Sequence, residues 1–526
     1  MKKLKNLPIG IQSFEKLREE DNNFVYVDKT QHIYKIAHLN RPYFISRPRR
    51  FGKSLTCSTL KALFENKRKL FKGLWIDSSD WKWQEYSVVS LSFSGVSHES
   101  PDELKRSLSS EIKYLMRKNE ILFTGEKDLK SLLKDFVRGL HEATGQRVVI
   151  IIDEYDKPII DHINDIELAE SNRKILCSFF ETIKDLDDYI RFVFITGVSK
   201  FSKASVFSGL NNLDDLTNNE NGSLLMGYTQ NELLENFSDH IDYFSEKRGK
   251  PREEIIEKLR KWYDGYCFNP RDLNDQNKHV YNPFSLLKSL SEQEFENYWF
   301  LTGTPRFLIS LMKKRALAPI EIEIDDFSKS SLAAFDIEKI PLHTLLVQTG
   351  YLGFKSYDER REHFVLRYPN AEIQKSFLEH LAGLLTTDQY KLRGFVDDFK
   401  DALEDDNVDD FLFFFQQFLR NIPYNMYIKE EKYFQSLFYI VLKMIGAEVD
   451  VEHRTNNGRI DAVIRQNEKL YLIECKYGKD PQEALQQIKN KQYFAKFLHE
   501  KCEKVLIGLN FDIKTKEVFS EWEIIS

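Results

Sequence analysis

The sequence predicts an α/β protein in several domains, and three observations predict it. First, 526 residues exceed what one hydrophobic core organises, about 250–300 residues. Second, over residues 1–235 apolar strand-like runs alternate with amphipathic helical stretches, the pattern of a three-layer domain around a parallel sheet. Third, near the C-terminus two Ile/Val/Leu/Tyr-rich runs, 458–464 and 470–476, flank the polar turn Arg465-Gln466-Asn467-Glu468-Lys469 and lie between helical stretches. The expected divisions are a three-layer α/β domain over 1–235, a helical lid and winged-helix-like region over 236–375, a helical connector over 376–427, and a small α/β domain over 428–526.

The elements follow in order. Strands are expected at 43–46, 87–93, 147–153 and 190–196, with helices at 54–64, 102–118, 128–142 and 167–186 between them. The run 147–153 is continuously apolar until its last residue, as a strand buried on both faces requires. Helical periodicity then covers 231–247, 252–263, 284–291 and a stretch after Thr304, with an Asn/Asp-rich loop at 270–278. A helix at 341–350 feeding a short strand at 351–355 suggests the winged-helix-like unit. Periodicity resumes over 373–418 and breaks at the acidic run Glu404-Asp405-Asp406; Asn421-Ile422-Pro423 reads as a linker. Beyond it come a helix at 428–445, the two strands, a helix at 481–500 and a strand at 504–509.

Composition narrows the class. Hydrophobic residues make up 42% and charged residues 30%, with 40 Phe and 24 Tyr to fill cores, so the chain folds rather than staying disordered. The net charge is -6, and acids and bases nearly balance in the C-terminal part, so nucleic-acid contact would need a local basic patch. Five scattered cysteines without a CxxC pair read as reduced thiols of a cytoplasmic protein. The basic start Met1-Lys2-Lys3-Leu4-Lys5 lacks the apolar run of a signal peptide, and no stretch has the apolar length of a membrane span. No membrane partner is expected. The twelve histidines form no HxH or HxxxH pair, and no GxSxG elbow stands out.

Chemistry concentrates in two places. After the first strand the chain reads Arg47-Pro48-Arg49-Arg50-Phe51-Gly52-Lys53-Ser54, the phosphate-binding pattern GxxxxGK[ST] with Arg47 in place of the first glycine. Gly52 lets the backbone approach a phosphate, Lys53 reaches the β- and γ-phosphates, and Ser54 can ligate Mg2+ at the positive end of the next helix. Alone, Gly-Lys-Ser also reads as a basic loop at a helix start. The strand ending in Asp153-Glu154 supplies the arrangement of a Mg2+-holding aspartate and a water-activating glutamate. The strand ending in Thr196-Gly197-Val198-Ser199-Lys200 supplies polar tips that can sense a γ-phosphate. The expected site for ATP and Mg2+ therefore comprises Arg47, Pro48, Arg49, Arg50, Phe51, Gly52, Lys53, Ser54, Leu55, Asp153 and Thr196, with Glu154 as its water-activating catalytic residue. Lys200 and Arg306 are further sensor candidates.

The second place is the C-terminal pair of strands, where Asp461, Glu474 and Lys476 stand inside apolar runs. A carboxylate in such a strand is costly to bury without a positive partner. Two carboxylates and an amine together point to a divalent cation and to phosphodiester cleavage. The alternation Glu474-Cys475-Lys476 puts acid and amine on one strand face. The same spacing also describes the solvated outer face of a half-buried strand.

Several segments resemble a known bacterial family, the predicted AAA-ATPase-like proteins. They are Leu7-Pro8-Ile9-Gly10, Tyr26-Val27-Asp28-Lys29-Thr30, the loop 47–54, Thr196-Gly197-Val198-Ser199-Lys200-Phe201-Ser202, Phe207-Ser208-Gly209-Leu210-Asn211-Asn212 and Trp262-Tyr263-Asp264-Gly265-Tyr266. Such proteins commonly carry a C-terminal PD-(D/E)XK nuclease domain, so the resemblance covers nearly the whole chain. It implies a P-loop AAA-like N-terminal domain in which Asp153 and Glu154 take Walker B roles, Thr196 a sensor role, and 26–30 lie near the base. Arginine at the first loop position is usual in the family. For the C-terminal domain the PD-(D/E)XK pattern implies that Asp461 and Glu474 hold Mg2+ or Mn2+ with the backbone carbonyl of Cys475. Lys476 would orient the attacking water, and Gln487 matches the glutamine found one helix later. Glu431 is a candidate extra ligand, and Arg454, Arg459, Lys489, Lys491 and Lys496 are candidate phosphate contacts.

The expectation is an ATP-binding and ATP-hydrolysing protein with a metal-dependent nuclease domain acting on nucleic acid, DNA ahead of RNA. Self-association is left open. The alternative is a nucleotide-switched binding protein whose nuclease-like domain recognises nucleic acid or a protein without cutting.

Overall fold

The computed structural model describes residues 4–123, 127–200, 206–207, 210, 212–299, 322–332, 341–385, 389–405, 407–420, 431–444, 448–455, 458–466, 469–512, 515 and 517–525. The chain divides into two compact units: Met1–Leu311 with Ile324–Ile373, and Met312–Glu323 with Gln374–Ser526.

In the first unit the strands are β1 (Pro42–Ser46), β2 (Val88–Ser92), β3 (Val148–Asp153), β4 (Ile190–Gly197) and the short β5 (Asp214–Asp215). Among the described residues they form one sheet in the order β2-β3-β4-β1-β5, every pairing parallel. β3 is buried along its whole length, which is why its sequence shows no polar alternation. Helices link the strands and end where the sequence permits. Lys53–Phe64 starts after left-handed Gly52; Pro101–Lys118 starts behind Ser100, whose hydroxyl accepts from the Glu103 amide. Leu129–Thr144 is capped by Asp128 and stopped by left-handed Gly145. The last of these lays Leu132, Leu133, Phe136, Val137 and Leu140 inward; each such burial contributes about 1.5–3 kcal/mol, so Phe136→Ala would cost about 3–5 kcal/mol.

The chain continues into Gln230–Asn236, Ser238–Arg248, Arg252–Tyr263 and Pro283–Glu292. These share a core of Leu233, Phe237, Ile241, Phe244, Leu259, Leu286 and Leu290, which also takes in Val25 and Val27 from the N-terminal segment. The single helix expected at 231–247 is two. Phe237 leaves helical geometry at φ -120° between them, and its fully buried ring joins both halves to one core. A three-stranded antiparallel sheet, β6 (Ile324–Ser328), β8 (His363–Arg367) and β7 (Gly353–Asp358) in that order, completes the unit among its described residues. The helix Leu342–Thr349 stops at left-handed Gly350 and feeds β7, the helix-to-strand step expected at 341–355. The stretch after Thr304, with Arg306, lies outside the described residues, as do 201–205.

The periodicity over 373–418, which leads from the first unit into the second, resolves into three helices. Ala371–Leu385 is followed by Gln389–Glu404 and Val408–Arg420, the acidic run marking the second break. Asn407 caps the third helix by accepting from the Asp410 amide at 3.1 Å. The 421–423 linker lies outside the described residues. After the helix Glu431–Met444 come β9 (Glu448–Thr455), β10 (Gly458–Gln466), β11 (Lys469–Tyr477), β12 (Glu503–Asp512) and β13 (Glu517–Ile525). They form a sheet in the order β13-β12-β11-β10-β9, antiparallel except for β11 with β12. The helix expected at 481–500 ends at Asn490. Gln492 turns left-handed, and a 3-10 turn, Tyr493–Phe497, carries Tyr493 and Phe497 into the core instead.

Candidate nucleotide and metal sites

The phosphate-type loop of the first unit runs from the end of β1 to the start of Lys53–Phe64, and two positive φ angles shape it, Arg50 at 68° and Gly52 at 94°. Only glycine adopts the second without strain. The Lys53 ammonium is buried and donates to the Arg47 and Pro48 carbonyls at 3.0 and 2.9 Å; burial pulls its pKa down against the opposing field of Asp153. Ser54 Oγ donates to Asp153 Oδ2 at 2.6 Å, so the two expected Mg2+ ligands already touch. The other Asp153 oxygen is buried with no hydrogen-bond partner, a position that a cation or its water shell fits. Glu154 adopts a left-handed φ of 54°. Burial, then the Asp153 charge, raises its carboxyl above the ordinary value.

A cavity of about 400 Å³ opens on this loop, within the ~300–1,000 Å³ range of small-ligand pockets. Arg49, Arg50, Phe51, Gly52, Lys53, Ser54, Leu55 and Glu154 line it, and so do Pro8, Gly10, Tyr26, Val27 and Lys29 of the N-terminal segment. The expected base-side segment 26–30 is thus at the cavity, with Lys29 paired to Glu232 at 2.6 Å. Its Asp28 and Thr30 instead serve the backbone of Trp75 and Ile76.

Three residues that the sequence groups with the nucleotide site are elsewhere. The Arg47 side chain is fully buried and donates to the carbonyls of Ser46, Thr217 and Gly222 at 2.7–2.8 Å, with its guanidinium 3.9 Å from the Phe268 ring centroid. It props the loop from behind. Pro48 packs on Gly350, where an added Cβ would come within 2.7 Å of its ring. Thr196 is fully buried in β4 beside Ile45, its hydroxyl without a partner. None of the three is among the described residues lining the cavity. Lys200 Nζ is drawn to Asp215 at 2.6 Å. The loop's other supports are aromatic: Phe51 meets Tyr266 and Phe268 edge-on, and Trp299 Nε1 donates to the Arg49 carbonyl at 3.1 Å. The Trp299 amide donates in turn to the buried Glu372 at 2.8 Å.

In the second unit β10 and β11 pair through Ala462–Ile473, and one further step of that register brings Asp461 level with Glu474. The Cys475 amide donates to Asp461 Oδ2 at 2.7 Å, fixing that carboxylate across the two strands. Glu474 Oε1 accepts from Lys476 Nζ at 3.0 Å and from Gln487 Nε2. Glu474 Oε2 is buried without a partner. Only 3% of Glu474 is exposed, which removes the reading of a solvated strand face. Burial, then the neighbouring Asp461 charge, pushes its carboxyl up to about 7, the condition that a bound cation relieves. Gly508 sits beside Glu474 on β12. A Cβ there would lie 2.4 Å from the Pro481 carbonyl oxygen, so this glycine lets the helix Pro481–Asn490 bring Gln487 close. The donor set of two carboxylates and the Cys475 carbonyl suits a hard divalent ion. Lys489 pairs with Glu523 at 2.5 Å, while the side chains of Glu431, Arg454 and Arg459 lie outside the described residues.

A family whose description reads Predicted AAA-ATPase matches residues 8–207, and the PD-(D/E)XK nuclease superfamily matches 429–521. An uncharacterized protein in the vnfD 5′ region of Azotobacter chroococcum mcd 1 is 35% identical over 528 residues, 98% of each chain. The chain belongs to the AAA-ATPase-like family. Among solved structures, this AAA-ATPase-like protein aligns with Cdc6p of Pyrobaculum aerophilum over 82% of its own chain and 88% of that one, at 12% identity and a TM-score of 0.28. The ORC1 protein of Aeropyrum pernix, solved in complex with DNA, aligns over 92% and 97%, at 12% identity and 0.26. Scores that low assign neither fold nor function.

Sequence reasoning missed three charged residues of the AAA-ATPase-like cavity. Lys157 lines it together with Asp156 and Asp161. For Lys157 the available signal was its place three residues after Glu154, on the first turn beyond β3. No helix among the described residues is long and apolar enough to cross a membrane.

Proposed function

We propose that the protein binds and hydrolyses ATP with Mg2+ in its first unit and cleaves nucleic acid, DNA ahead of RNA, at the Asp461–Glu474–Lys476 site of its second, acting in the cytoplasm. One observation carries the nuclease reading: a buried glutamate with one oxygen unpartnered, set against a second carboxylate, a lysine and a glutamine. Asp461, Glu474 and the Cys475 carbonyl would hold Mg2+ or Mn2+. A divalent ion there supplies Lewis acidity and lowers the pKa of bound water. Lys476 stands beside Glu474 to orient that water or to meet the charge that develops on the phosphate. Gln487 holds the Glu474 carboxylate in one rotamer, and the Cys475 amide does the same for Asp461.

In the nucleotide site Lys53 exchanges the Arg47 and Pro48 carbonyls for phosphate oxygens. Ser54 and Asp153 would hold the Mg2+, and Glu154 accepts a proton from the attacking water. The test is the purified full chain with Mg2+ or Mn2+ and a panel of DNA and RNA substrates, with and without ATP. Asp461→Ala and Lys476→Ala should abolish cleavage and leave ATP affinity intact, while Lys53→Ala should lose ATP affinity. Undiminished cutting by both nuclease variants sinks the assignment.

A further inference from the structure

The wall of the nucleotide cavity next to β3 is acidic. Glu154, Asp156 and Asp161 all line it, and a triphosphate approaching three carboxylates meets repulsion unless a cation stands among them. Lys53 faces Glu154 and Asp156 from the loop side, and its ammonium is already buried against the Arg47 and Pro48 carbonyls. Lys157 lies on the acidic wall itself. Its amide donates to the Glu154 carbonyl at 3.1 Å, which makes it part of the turn that presents Glu154. Its ammonium, after that of Lys53, opposes the burial that raises the Glu154 carboxyl.

We infer that Lys157 is a second cationic contact for the γ-phosphate of ATP, held back by Asp161 until the nucleotide arrives. This rests on the nucleotide reading above. Lys157 Nζ is 2.6 Å from Asp161 Oδ2, and the two side chains are 31% and 32% exposed. A pair that exposed is held by little, so the ammonium exchanges partners readily for a doubly charged terminal phosphate. Asp161 is provided for when it leaves. The same carboxylate oxygen lies 3.2 Å from His98 Nε2, and His98 is fixed by its other nitrogen, 2.7 Å from the Val96 carbonyl oxygen. Lys157 would then clamp the γ-phosphate on the side where Glu154 handles the water, leaving the β-phosphate to Lys53. The contact makes the site distinguish ATP from ADP.

The experiment is titration of the full chain with ATP and with ADP, each with Mg2+, together with single-turnover hydrolysis. Lys157→Met should weaken ATP at least about tenfold, the scale of a charge-assisted hydrogen bond to phosphate, and leave ADP unchanged. Hydrolysis should fall at saturating ATP as well. Asp161→Asn frees the ammonium from its competitor and should tighten ATP about two- to fivefold, a gain that damage to the fold does not produce. An unchanged ATP-to-ADP ratio in Lys157→Met, with Lys53→Ala still weakening both nucleotides, overturns the inference alone. A wild-type chain that binds neither nucleotide overturns the nucleotide reading and this inference with it.

Discussion

Replacing Glu372 by glutamine probes how the first unit tolerates a buried acid. Glu372 is fully buried; it accepts from the Trp299 amide at 2.8 Å and Ser285 Oγ at 2.9 Å, and its second oxygen is buried with no hydrogen-bond partner. With no cation beside it among the described residues, burial pushes its carboxyl up to about 8 from 4.5. The sign follows from proton counting. Between those two values the folded state holds a proton that the unfolded state has released, so stability falls as pH rises, and the loss is complete above pH 8. At roughly 1.4 kcal/mol per pKa unit the full loss is on the order of 4–5 kcal/mol. Glutamine keeps an acceptor and cannot ionise, so it removes this slope. Denaturant unfolding of wild type and Glu372→Gln from pH 5 to 9 reads it directly. The variant should gain steadily on wild type and level off near pH 8. Parallel curves would refute the account of a neutral carboxyl at that position.

Three more outcomes follow from the packing. Arg47→Gly restores the glycine of the usual phosphate-loop pattern yet should destabilise the first unit by about 3–5 kcal/mol, because it strands buried carbonyls of Thr217 and Gly222; denaturant unfolding at unchanged midpoint would contradict this. Gly508→Ala places a methyl 2.4 Å from the Pro481 carbonyl oxygen and 2.6 Å from the Leu485 nitrogen. It should cost about 1–3 kcal/mol and cut nuclease activity by displacing Gln487. Glu474→Gln should abolish the thermal stabilisation that Mn2+ gives the wild type; an undiminished shift on scanning calorimetry would place the cation elsewhere.

The sequence made the central elements legible because their physics is local. The apolar run ending in Asp153-Glu154, the loop before Lys53 and the paired runs around Asp461 and Glu474 each carry their own signal, and all lie where expected. The two edge strands of the second unit did not show. Glu448–Thr455 and Glu517–Ile525 pair on one side only and are rich in acids, so their alternation reads as polar loop. The Arg47 side chain looked like a phosphate ligand because it stands in a phosphate-loop pattern. Its acceptors, Thr217 and Gly222, lie about 170 residues downstream in the chain, beyond any local pattern. Thr196 was placed correctly at a strand end, but the face it occupies depends on β4 lying between β1 and β3. Lys157 was passed over because a lysine one turn past an acid is ordinary on a helix.

The family match ends at residue 207, and that is a poor place to cut the gene. The aromatic rings and the glycine that back the loop, Tyr266, Phe268, Trp299 and Gly350, are all encoded later, as are two of the three acceptors of Arg47, Thr217 and Gly222. A truncated product stopping there would carry the full fingerprint and yet expose Phe51 and an arginine left with the Ser46 carbonyl alone. Expression boundaries for a soluble nucleotide-binding fragment should reach at least to the end of β8 and the turn carrying Glu372.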